Sequence, residues 1–449
     1  MISQAYIAAA AGNIISFVTG TSLSWSSPIL PKLNVTDVDD IPFGRQITAE
    51  ENSWIGSLLS LGAVFGPFIY GYLADKIGRK FTLMSIGIPF LVAYLMLAFS
   101  EIVELYYVAR IIIGVAIGGV FTVIPMYTGE IAEDSNRGAL GSVMNVLLTF
   151  GLLFSYSVGA YAPMVAYNVI LAVVPGAFMV LFFFVAPETP HYLVAKGDLD
   201  AASQCLRKLR GSDKIDDELD DIKTQIEQSK EGSITDLFKS KGLIKALIIT
   251  LALVGFQQLS GINAVLFYAQ IIFNASGGGI PSEVSSIIIG AVLFGTSFVT
   301  PLFVDKLGRK ILFYFSAVGM IISEIPLGLY FYLKDDGSNV DDISWLPVVS
   351  LIVYIITYNC AFGPLPWAVM SELFPSNVKS TASSITSAFC WFISFLITKF
   401  FSQIVDGIGM GPSFWMFAGF CVLAFFFTLF VVIETKGKSF EEIQEILGS

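Results

Sequence analysis

The sequence has few charged side chains and few residues of the kinds that form catalytic or metal centres. Only 14% of its 449 residues are charged, and it has a single histidine, His191. Its four cysteines, Cys205, Cys360, Cys390 and Cys421, lack disulfide or metal-ligand spacing. The sequence shows no nucleophile–base pair, glycine-rich phosphate loop or metal-ligand cluster. These absences argue against an enzyme and against a protein that holds a metal or another cofactor.

Positive charge is also scarce. The chain has 25 Lys and Arg against 36 Asp and Glu, which gives a formal net charge of −11. The acidic residues cluster in a few loops and in one central polar segment, and no basic face is present. Nucleic acid is therefore excluded as a partner.

Apolar residues fill most of the remaining sequence. The hydrophobic fraction is 55% and the mean hydropathy is +0.75, values far outside the range of soluble domains. A helix that crosses a lipid bilayer needs about 20 mostly apolar residues, and twelve stretches meet this requirement. They are Ala5 to Leu30, Ser53 to Leu73, Phe81 to Ser100, Leu105 to Tyr127, Gly138 to Ala160, Met164 to Ala186, Leu243 to Phe273, Ser282 to Val304, Ile311 to Leu333, Trp345 to Met370, Ser380 to Val405 and Pro412 to Ile433.

The distribution of basic residues predicts the orientation of the chain. When both termini are placed in the cytoplasm, the cytoplasmic loops and tail hold 20 of the 25 Lys and Arg residues, as the positive-inside rule requires. The glycosylation sequons at Asn34 and Asn274 then fall in outer loops. The first apolar stretch lacks a basic n-region and a cleavage site, so we expect a spanning helix there and not a signal peptide.

The chain divides at a polar segment and contains an internal repeat. We expect an N-terminal six-helix half (1–186), a cytoplasmic linker with short amphipathic helices (187–242), a C-terminal six-helix half (243–433) and a cytoplasmic tail (434–449). Three motifs recur in the same order in both halves. Asp75-Lys-Ile-Gly-Arg-Lys80 recurs as Asp305-Lys-Leu-Gly-Arg-Lys310 at an offset of 230 residues. Glu130 recurs as Glu372 at an offset of 242, and Glu188-Thr189 recurs as Glu434-Thr435 at an offset of 246. Two related halves around a central site are typical of transporters that work by alternating access.

These motifs resemble those of the sugar porter family of the major facilitator superfamily, over essentially the whole chain. The ordered set consists of the two Asp-Lys-x-Gly-Arg-Lys loops, Arg110 with Gly114 and Gly118, Pro187-Glu-Thr-Pro, Gln257-Gln-Leu-Ser-Gly-Ile-Asn263, Gly363-Pro-Leu-Pro-Trp367 and Glu434-Thr-Lys-Gly437. Within the family, the sequence is most similar to the insect trehalose transporters and the related facilitative glucose transporters. The resemblance implies an all-α membrane protein with the major facilitator fold, in which twelve transmembrane helices form two six-helix pseudo-repeats.

Charged residues recur at matched positions near the cytoplasmic ends of the helices. We interpret them as a latch whose members pair between helices in the outward-open state and separate when the cytoplasmic side opens. The alternative is that the basic residues only fix orientation, but the positive-inside rule does not require the acidic ones. The latch residues are Asp75, Arg79, Arg110, Glu130, Arg137, Glu188, Asp305, Arg309, Glu372, Lys379 and Glu434.

Amide and aromatic side chains inside apolar helices are the candidates for a sugar site. Amides both donate to and accept from sugar hydroxyls, and aromatic rings cover the apolar face of a pyranose. The resemblance implies that Gln257, Gln258 and Asn263 are sugar ligands, that Tyr268 belongs to an outer gate and that Trp367 closes the cytoplasmic side of the cavity. Amides that only join helices are the alternative.

Three further positions complete the predicted pocket, and several depart from the family pattern. Asn145, Asn359 and Trp391 are included among the substrate-binding residues. Asn145 stands at a common glutamine position, Asn359 at a glutamate position, and Leu293 and Cys390 at asparagine positions. The second half of the pocket is thus less polar than in typical glucose carriers.

Helix-breaking residues lie beside these candidates. Gly363, Pro364 and Pro366 interrupt the tenth apolar stretch, and Gly255 and Gly261 flank the amides of the seventh. Broken helices line the cavity of transporters and act as hinges, so we include the first three residues in the gate. An ordinary proline kink is the alternative.

Two titratable residues have no evident place in this scheme. Glu324 lies midway along the apolar ninth stretch, where an ionised carboxylate is costly, and we expect a neutral, hydrogen-bonded or interfacial glutamate there and not a proton relay. His191 replaces an arginine of the family motif, and we expect a solvated loop residue.

The sequence therefore predicts facilitated sugar transport, of trehalose or a hexose such as glucose, across the plasma membrane by a monomer. Proton-coupled symport is the first alternative. The first apolar stretch contains no acidic residue, and Thr21 stands where proton-linked members have an aspartate. A sensor that does not transport is the second alternative, disfavoured because only about fifteen residues follow the last helix and sensors of this fold have long tails.

Overall fold

A computed structural model describes residues 4–35, 41–133, 135–212, 214–229, 234–304, 308–436, 438 and 440–448. These residues are 84% helical, and no strand is found among them. The twelve spans, referred to below as the first to the twelfth, are Gln4–Ser24 with Ser26–Lys32, Ala49–Ala63 with Gly66–Ile77, Arg79–Phe99, Val103–Ile131, Arg137–Tyr161, Met164–Val185, Lys241–Leu259 with Ile262–Ser276, Ser282–Val304, Arg309–Asp335, Leu346–Cys360 with Leu365–Leu373, Ser376–Ile408 and Met410–Phe430.

Length and apolar composition allow eleven of these spans to cross a membrane, and the eighth contains a shorter apolar helix, Ser282–Phe298. The fourth and eleventh spans are longer than predicted because their charged ends, which include Glu130 and Lys379, continue as helix beyond the apolar stretch. The twelfth ends at Phe430, three residues before its predicted end. Hydropathy locates the apolar part of a helix, and the helix itself extends past it wherever its hydrogen bonds continue.

Four spans consist of two helical pieces. The breaks in the seventh and tenth spans were predicted from their glycines and prolines, and both are confirmed. The breaks at Trp25 in the first span and at Val64 and Phe65 in the second were not predicted. In the second span Pro67 stands in the first turn of the new piece, where its missing N–H costs nothing.

The polar segment between the halves forms the predicted amphipathic helices. They are Pro190–Ala195, Leu199–Arg210 and Asp216–Ser229, followed by a short 3₁₀ helix, Ile234–Phe238. The Arg210 guanidinium fixes this segment to the N-terminal half by donating to the carbonyls of Ile131 and Ala132 at 2.8 and 3.1 Å. The end of the bundle that holds this segment is called the linker end below, and the opposite end is called the far end.

The C-terminal tail also lies at the linker end. It forms a helix, Phe440–Gly448, whose Gln444 side chain donates to the Leu373 carbonyl at 3.0 Å. The two halves meet where the second span packs on the eleventh, the fifth on the eighth, and the first on the seventh. At the matched ends of the sixth and twelfth spans, Phe184 and Phe430 are 79% and 77% exposed, as expected for rings that face lipid.

Candidate functional site

The break in the seventh span places three amide side chains together. Gly261 has φ of +84°, a conformation that favours glycine, and the helix stops at Leu259 and restarts at Ile262. Gln257, Gln258 and Asn263 lie on the two sides of this break and are 4 to 7% exposed. The structure thus brings together the three amides that the sequence indicated.

Gln257 joins the seventh span to the broken tenth span. Its Nε2 donates to the carbonyls of Phe362 and Gly363, both at 2.7 Å. These carbonyls lie between the two pieces of the tenth span, where the regular helical bonds are interrupted. One side chain therefore satisfies two backbone acceptors at the break, of which the buried Phe362 carbonyl would be costly to leave without a partner.

Gln258 and Asn263 bond to each other and to the eleventh span. Asn263 Nδ2 donates to Gln258 Oε1 at 2.6 Å and to Ser394 Oγ at 2.7 Å. Gln258 Nε2 donates to Cys390 Sγ at 3.1 Å, and Cys390 Sγ lies 3.7 Å from Gln257 Oε1. Cys390 and Ser394 were not among the predicted site residues, although both are polar positions within an apolar helix.

The eleventh span also contacts the other half at this level. Ser394 Oγ lies 3.0 Å from Ser60 Oγ of the second span. The ring of Trp391 packs at 5.6 Å, centroid to centroid, against Phe121 of the fourth span. A molecule held by the amides therefore lies beside residues of both halves.

The remaining predicted pocket residues are less enclosed. Asn359 donates to Thr296 Oγ1 of the eighth span at 2.8 Å, and Trp367 is partly buried in the second piece of the tenth span. Asn145 is exposed, one turn before Thr149 and eleven residues before Tyr156 on the same face of the fifth span. Tyr156 donates to the Leu266 carbonyl of the other half, so this face is directed towards the interface between the halves.

Tyr268 lies where the far ends of the two halves meet. Its side chain is 1% exposed and donates to the Thr398 carbonyl at 2.9 Å, while its ring stacks on Phe401. A methyl group added at Gly56 of the second span would lie 2.3 Å from the Tyr268 hydroxyl, so a glycine is needed for this close approach.

Further bonds join the halves at the far end. Ser26 Oγ donates to the Phe267 carbonyl at 3.0 Å, and the backbone N–H of Gln270 donates to Ser27 Oγ at 3.1 Å. Lys399 of the eleventh span donates to Ser53 Oγ of the second span at 2.7 Å. The far end of the interface is closed by these contacts.

A charged network occupies the linker end of the N-terminal half. The Arg79 guanidinium pairs with Glu130 at 2.9 Å and with Asp75 at 3.3 Å. Glu188 accepts from the backbone N–H groups of Arg79 and Lys80 at 2.9 and 3.2 Å. Burial raises the pKa of Glu188, although these N–H groups and Arg79 oppose the shift.

The C-terminal half repeats this network. Arg309 pairs with Glu372 at 2.9 Å, and Glu434 accepts from the backbone N–H groups of Arg309 and Lys310 at 2.9 and 3.0 Å. Burial of Glu434 opposes ionisation, but the N–H groups of Lys436, Lys310 and Arg309 outweigh it and lower its pKa. Asp305, predicted for this network, lies outside the described residues.

Both latch pairs, Arg79–Glu130 and Arg309–Glu372, join helices of one half. The matched lysines also make matched contacts, since Lys80 Nζ donates to the Phe183 carbonyl and Lys310 Nζ to the Leu429 carbonyl. Of the other predicted members, Arg137 begins the fifth span and Lys379 lies in the first turn of the eleventh.

Arg110 is fully buried and is bonded to backbone carbonyls. Its guanidinium donates to Ile55, Ser22 and Gly56 at 2.9, 3.0 and 3.4 Å, and lies 5.2 Å from the ring centroid of Trp25. The arginine therefore lies among the first, second and fourth spans, away from the linker-end network in which it was predicted. Sequence reasoning could not identify these partners because they are main-chain atoms.

The two unassigned titratable residues are also located. Glu324 is 2% exposed and accepts from Cys421 Sγ of the twelfth span at 3.5 Å, which confirms the hydrogen-bonded prediction. His191 is not a solvated loop residue: it lies on the short helix Pro190–Ala195, is partly buried and lies near Glu130. Burial lowers its pKa. The expectation failed because the linker folds back against the N-terminal half.

Known proteins resemble the chain over its full length. A family described as "Sugar (and other) transporter" matches residues 12–447. A facilitated trehalose transporter of Bombyx mori is 37% identical over 447 residues, which is 99% of this chain and 86% of that protein. A second, from Apis mellifera ligustica, is 37% identical over 443 residues, 98% of this chain and 87% of that protein.

Solved structures share the fold. An inward-open xylose transporter from E. coli superposes with a TM-score of 0.80 at 24% identity and covers 98% of both chains. A proton:xylose symporter bound to 6-bromo-6-deoxy-D-glucose superposes with a TM-score of 0.78, also at 24% identity, covering 99% of this chain and 98% of that one. The major facilitator fold predicted from the sequence is confirmed, as is the prediction of a transporter and not an enzyme. The chain belongs to the sugar transporter family.

Proposed function

We propose that the protein carries a sugar, trehalose or a hexose such as glucose, down its concentration gradient by alternating access. The observation that supports this most is the cluster of Gln257, Gln258 and Asn263 at the break of the seventh span, in contact with the other half through Ser394 and Ser60. Amides offer donors and acceptors without charge, which suits a ligand made of hydroxyl groups. The facilitated trehalose transporters at 37% identity support the same substrate class.

The aromatic rings of the site complement the amides. Trp391 and Phe121 pack together from opposite halves, and Trp367 follows the break of the tenth span. Each offers a flat apolar surface to the C–H face of a pyranose. Asn145 and Asn359 add polar groups on the fifth and tenth spans, so that a sugar between the halves contacts both.

The contacts between the halves support an alternating-access cycle. In this structure Ser26, Lys399 and Gln270 bond across the far end. At the linker end, the pairs Arg79–Glu130 and Arg309–Glu372 stay within their own halves. We therefore assign the structure to the conformation of the cycle that is open at the linker end. We also assign Tyr268 and the tenth-span break to the gates.

The orientation follows from the charges. The linker end lies in the cytoplasm with both termini, because it holds most of the basic residues. Asn34 and Asn274 then face the outside, where both are exposed as glycosylation requires. We assign the protein to the plasma membrane as a monomer.

Transport by this protein is uniport. Proton coupling needs a group whose proton affinity changes between the two conformations. Thr21 cannot supply it, and the hydroxyl of Thr21 instead donates to the Val18 carbonyl at 2.8 Å. Arg110 has backbone carbonyls as partners and needs no carboxylate.

Uptake into liposomes that contain the purified protein tests the function. Saturable uptake of labelled trehalose or glucose, absent from protein-free liposomes, is expected, and a competition panel of unlabelled sugars then ranks the substrates. Binding of sugar without any uptake would identify a sensor. No binding and no uptake of any sugar in the panel would refute the proposal.

A further inference from the structure

The polar groups of the site form one continuous series of hydrogen bonds between the two halves and the break of the tenth span. It is called the amide chain below and consists of Ser60, Ser394, Asn263, Gln258, Cys390 and Gln257. It begins at the second span, in the N-terminal half. It ends where Gln257 donates to the carbonyls of Phe362 and Gly363.

The amide donors of Asn263 and Gln257 already have protein partners in this structure. An amide NH₂ group has two hydrogens. Asn263 directs its two to Gln258 and Ser394, and Gln257 directs its two to the carbonyls of the tenth-span break. A sugar hydroxyl that accepts from Asn263 must therefore replace a protein partner.

The serine pair transmits this replacement across the interface. Ser394 and Ser60 are both 0% exposed, so each hydroxyl depends on its protein partners. Ser394 Oγ accepts from Asn263 and lies 3.0 Å from Ser60 Oγ, a contact in which either hydroxyl can donate. Asn263 and Ser60 are thus both partners of one buried hydroxyl, and loss of the Asn263 bond changes the contact that Ser394 makes with the other half.

Cys390 is the weak member of the chain. Its sulfur accepts from Gln258 at 3.1 Å and lies 3.7 Å from Gln257 Oε1, and thiols are weak donors and weak acceptors. The amide chain can therefore separate at Cys390 at a lower cost than at an oxygen partner.

We propose that Ser394 and Cys390 are positioning residues that link occupancy of the sugar site to the contact between the halves. They accept from Gln258 and Asn263 in this structure, and sugar hydroxyls replace them on binding. This replacement weakens the Ser394–Ser60 contact, so that the sugar-bound protein changes more readily between its two conformations. The proposal rests on the proposed sugar transport.

Ser394→Ala gives the distinguishing result. Removal of the hydroxyl leaves one Asn263 donor unsatisfied in the empty site and has no effect on the sugar-bound site, so sugar binds about fivefold more tightly. A residue with a purely structural role would instead weaken binding when truncated. Equilibrium binding of labelled trehalose and glucose to the purified full-length protein measures this change.

The link to the other half has its own readout. Ser142 lies near the linker end of the fifth span, on the face directed towards the interface. The labelling rate of a cysteine introduced at this position reports the opening of the linker end. Labelling of the protein that has only the native cysteines gives the background. Sugar changes this rate in the parent, and Ser60→Ala and Ser394→Ala each reduce the sugar-induced change about fivefold. Ser60→Ala is the second variant if Ser394→Ala does not fold.

Two controls accompany these variants. Ser394→Thr keeps the hydroxyl and retains the parent behaviour. Ser384→Ala lies on the same span but removes a hydroxyl that bonds to the Ser380 carbonyl of its own helix, and it changes neither binding nor the labelling response.

The outcomes separate the two proposals. Sugar is expected to change the labelling rate of the cysteine at position 142 in the parent. If the change is equally large in Ser394→Ala, Ser60→Ala and the control Ser384→Ala, the link is refuted and sugar transport stands. Weaker sugar binding by Ser394→Ala also refutes it. If no sugar binds to the parent or changes its labelling, the proposed function and the link both fail.

Discussion

Lys399 of the eleventh span places its ammonium group 4.2 Å from the ring centroid of Trp54 in the second span and donates to Ser53 Oγ at 2.7 Å. The side chain is 5% exposed although it carries a charge. Its partners are a ring face and a hydroxyl group of the other half. The lysine thus fastens the far ends of the two halves together by a cation–π contact and one hydrogen bond.

We predict that Lys399→Met favours opening of the far end. A desolvated cation–π contact contributes up to about 2 kcal/mol, so its loss shifts the population by up to about thirtyfold. A cysteine at Ser57, buried between Ser53 and Ser60 on the same face of the second span, reports this opening by faster labelling from the far side.

Lys334→Met is the matched control for that variant. Lys334 also lies at the far end, but it donates to the carbonyls of Ala275 and Ser276 within its own half. Its removal leaves the labelling of Ser57→Cys unchanged. Equal labelling rates for Lys399→Met and Lys334→Met would show that Lys399 does not fasten the halves.

The amides should determine sugar affinity. We predict that Gln257→Ala and Asn263→Ala each weaken sugar binding at least tenfold while the protein still reaches the cell surface. Loss of a partner for a buried hydroxyl costs about 1 to 3 kcal/mol. Gln257→Ala also leaves the Phe362 and Gly363 carbonyls without their donor, so this variant should be less stable than Asn263→Ala. Unchanged apparent affinity in both would remove these residues from the site.

The sequence located the spans but not the contacts between them. Apolar length identified all twelve, and Gly261 and Pro364 marked the breaks of the seventh and tenth. Ser60 and Ser394 are 334 residues apart, and nothing in a single sequence pairs them. The partners of Arg110 are carbonyls, which every residue has, so side-chain types cannot identify them. Tertiary packing decides both contacts.

The linker-end network should set the resting orientation. We predict that Arg137→Ala or Glu372→Ala shifts the population towards the form open at the linker end, with little change in sugar contacts. The Arg309–Glu372 pair joins two helices of one half and is intact in the form open at the linker end, so the shift requires that Arg137 and Glu372 also contact the other half when this end closes. Faster labelling of Ser142→Cys measures the shift. No increase in labelling would mean that these charges only fix the orientation of the chain in the membrane.

The equivalent acids Glu188 and Glu434 should differ in their response to neutralisation. The lowered pKa of Glu434 means that its charged form stabilises the fold above the pKa of the unfolded chain, and this stability is lost as the pH falls through the folded-state pKa. The raised pKa of Glu188 means that its charge is unfavourable at neutral pH, and acidification removes this penalty.

At neutral pH we therefore predict that Glu434→Gln lowers the melting temperature and that Glu188→Gln lowers it less or raises it. The difference in melting temperature between Glu434→Gln and the parent becomes smaller as the pH falls below the unfolded-state pKa of the Glu434 carboxyl. Thermal unfolding of the purified variants between pH 4 and pH 8 gives both comparisons. A greater loss with Glu188→Gln would contradict the assignment.

Uniport depends on the absence of a titratable partner for Arg110 in the first span, where Thr21 bonds to the Val18 carbonyl. Glu324 is the alternative proton site. It is bonded to Cys421 and lies between the ninth and twelfth spans. If protons were coupled through it, Glu324→Gln would abolish any accumulation while leaving exchange of sugar intact.

Sugar accumulation in liposomes under an imposed pH gradient tests the central claim most directly. With the outside acidified and labelled trehalose or glucose supplied there, we predict saturable uptake that stops when the internal concentration equals the external one, and a protonophore leaves the rate unchanged. Accumulation of sugar above the external concentration, collapsed by the protonophore, would contradict facilitated transport. Absence of saturable uptake would contradict sugar transport itself.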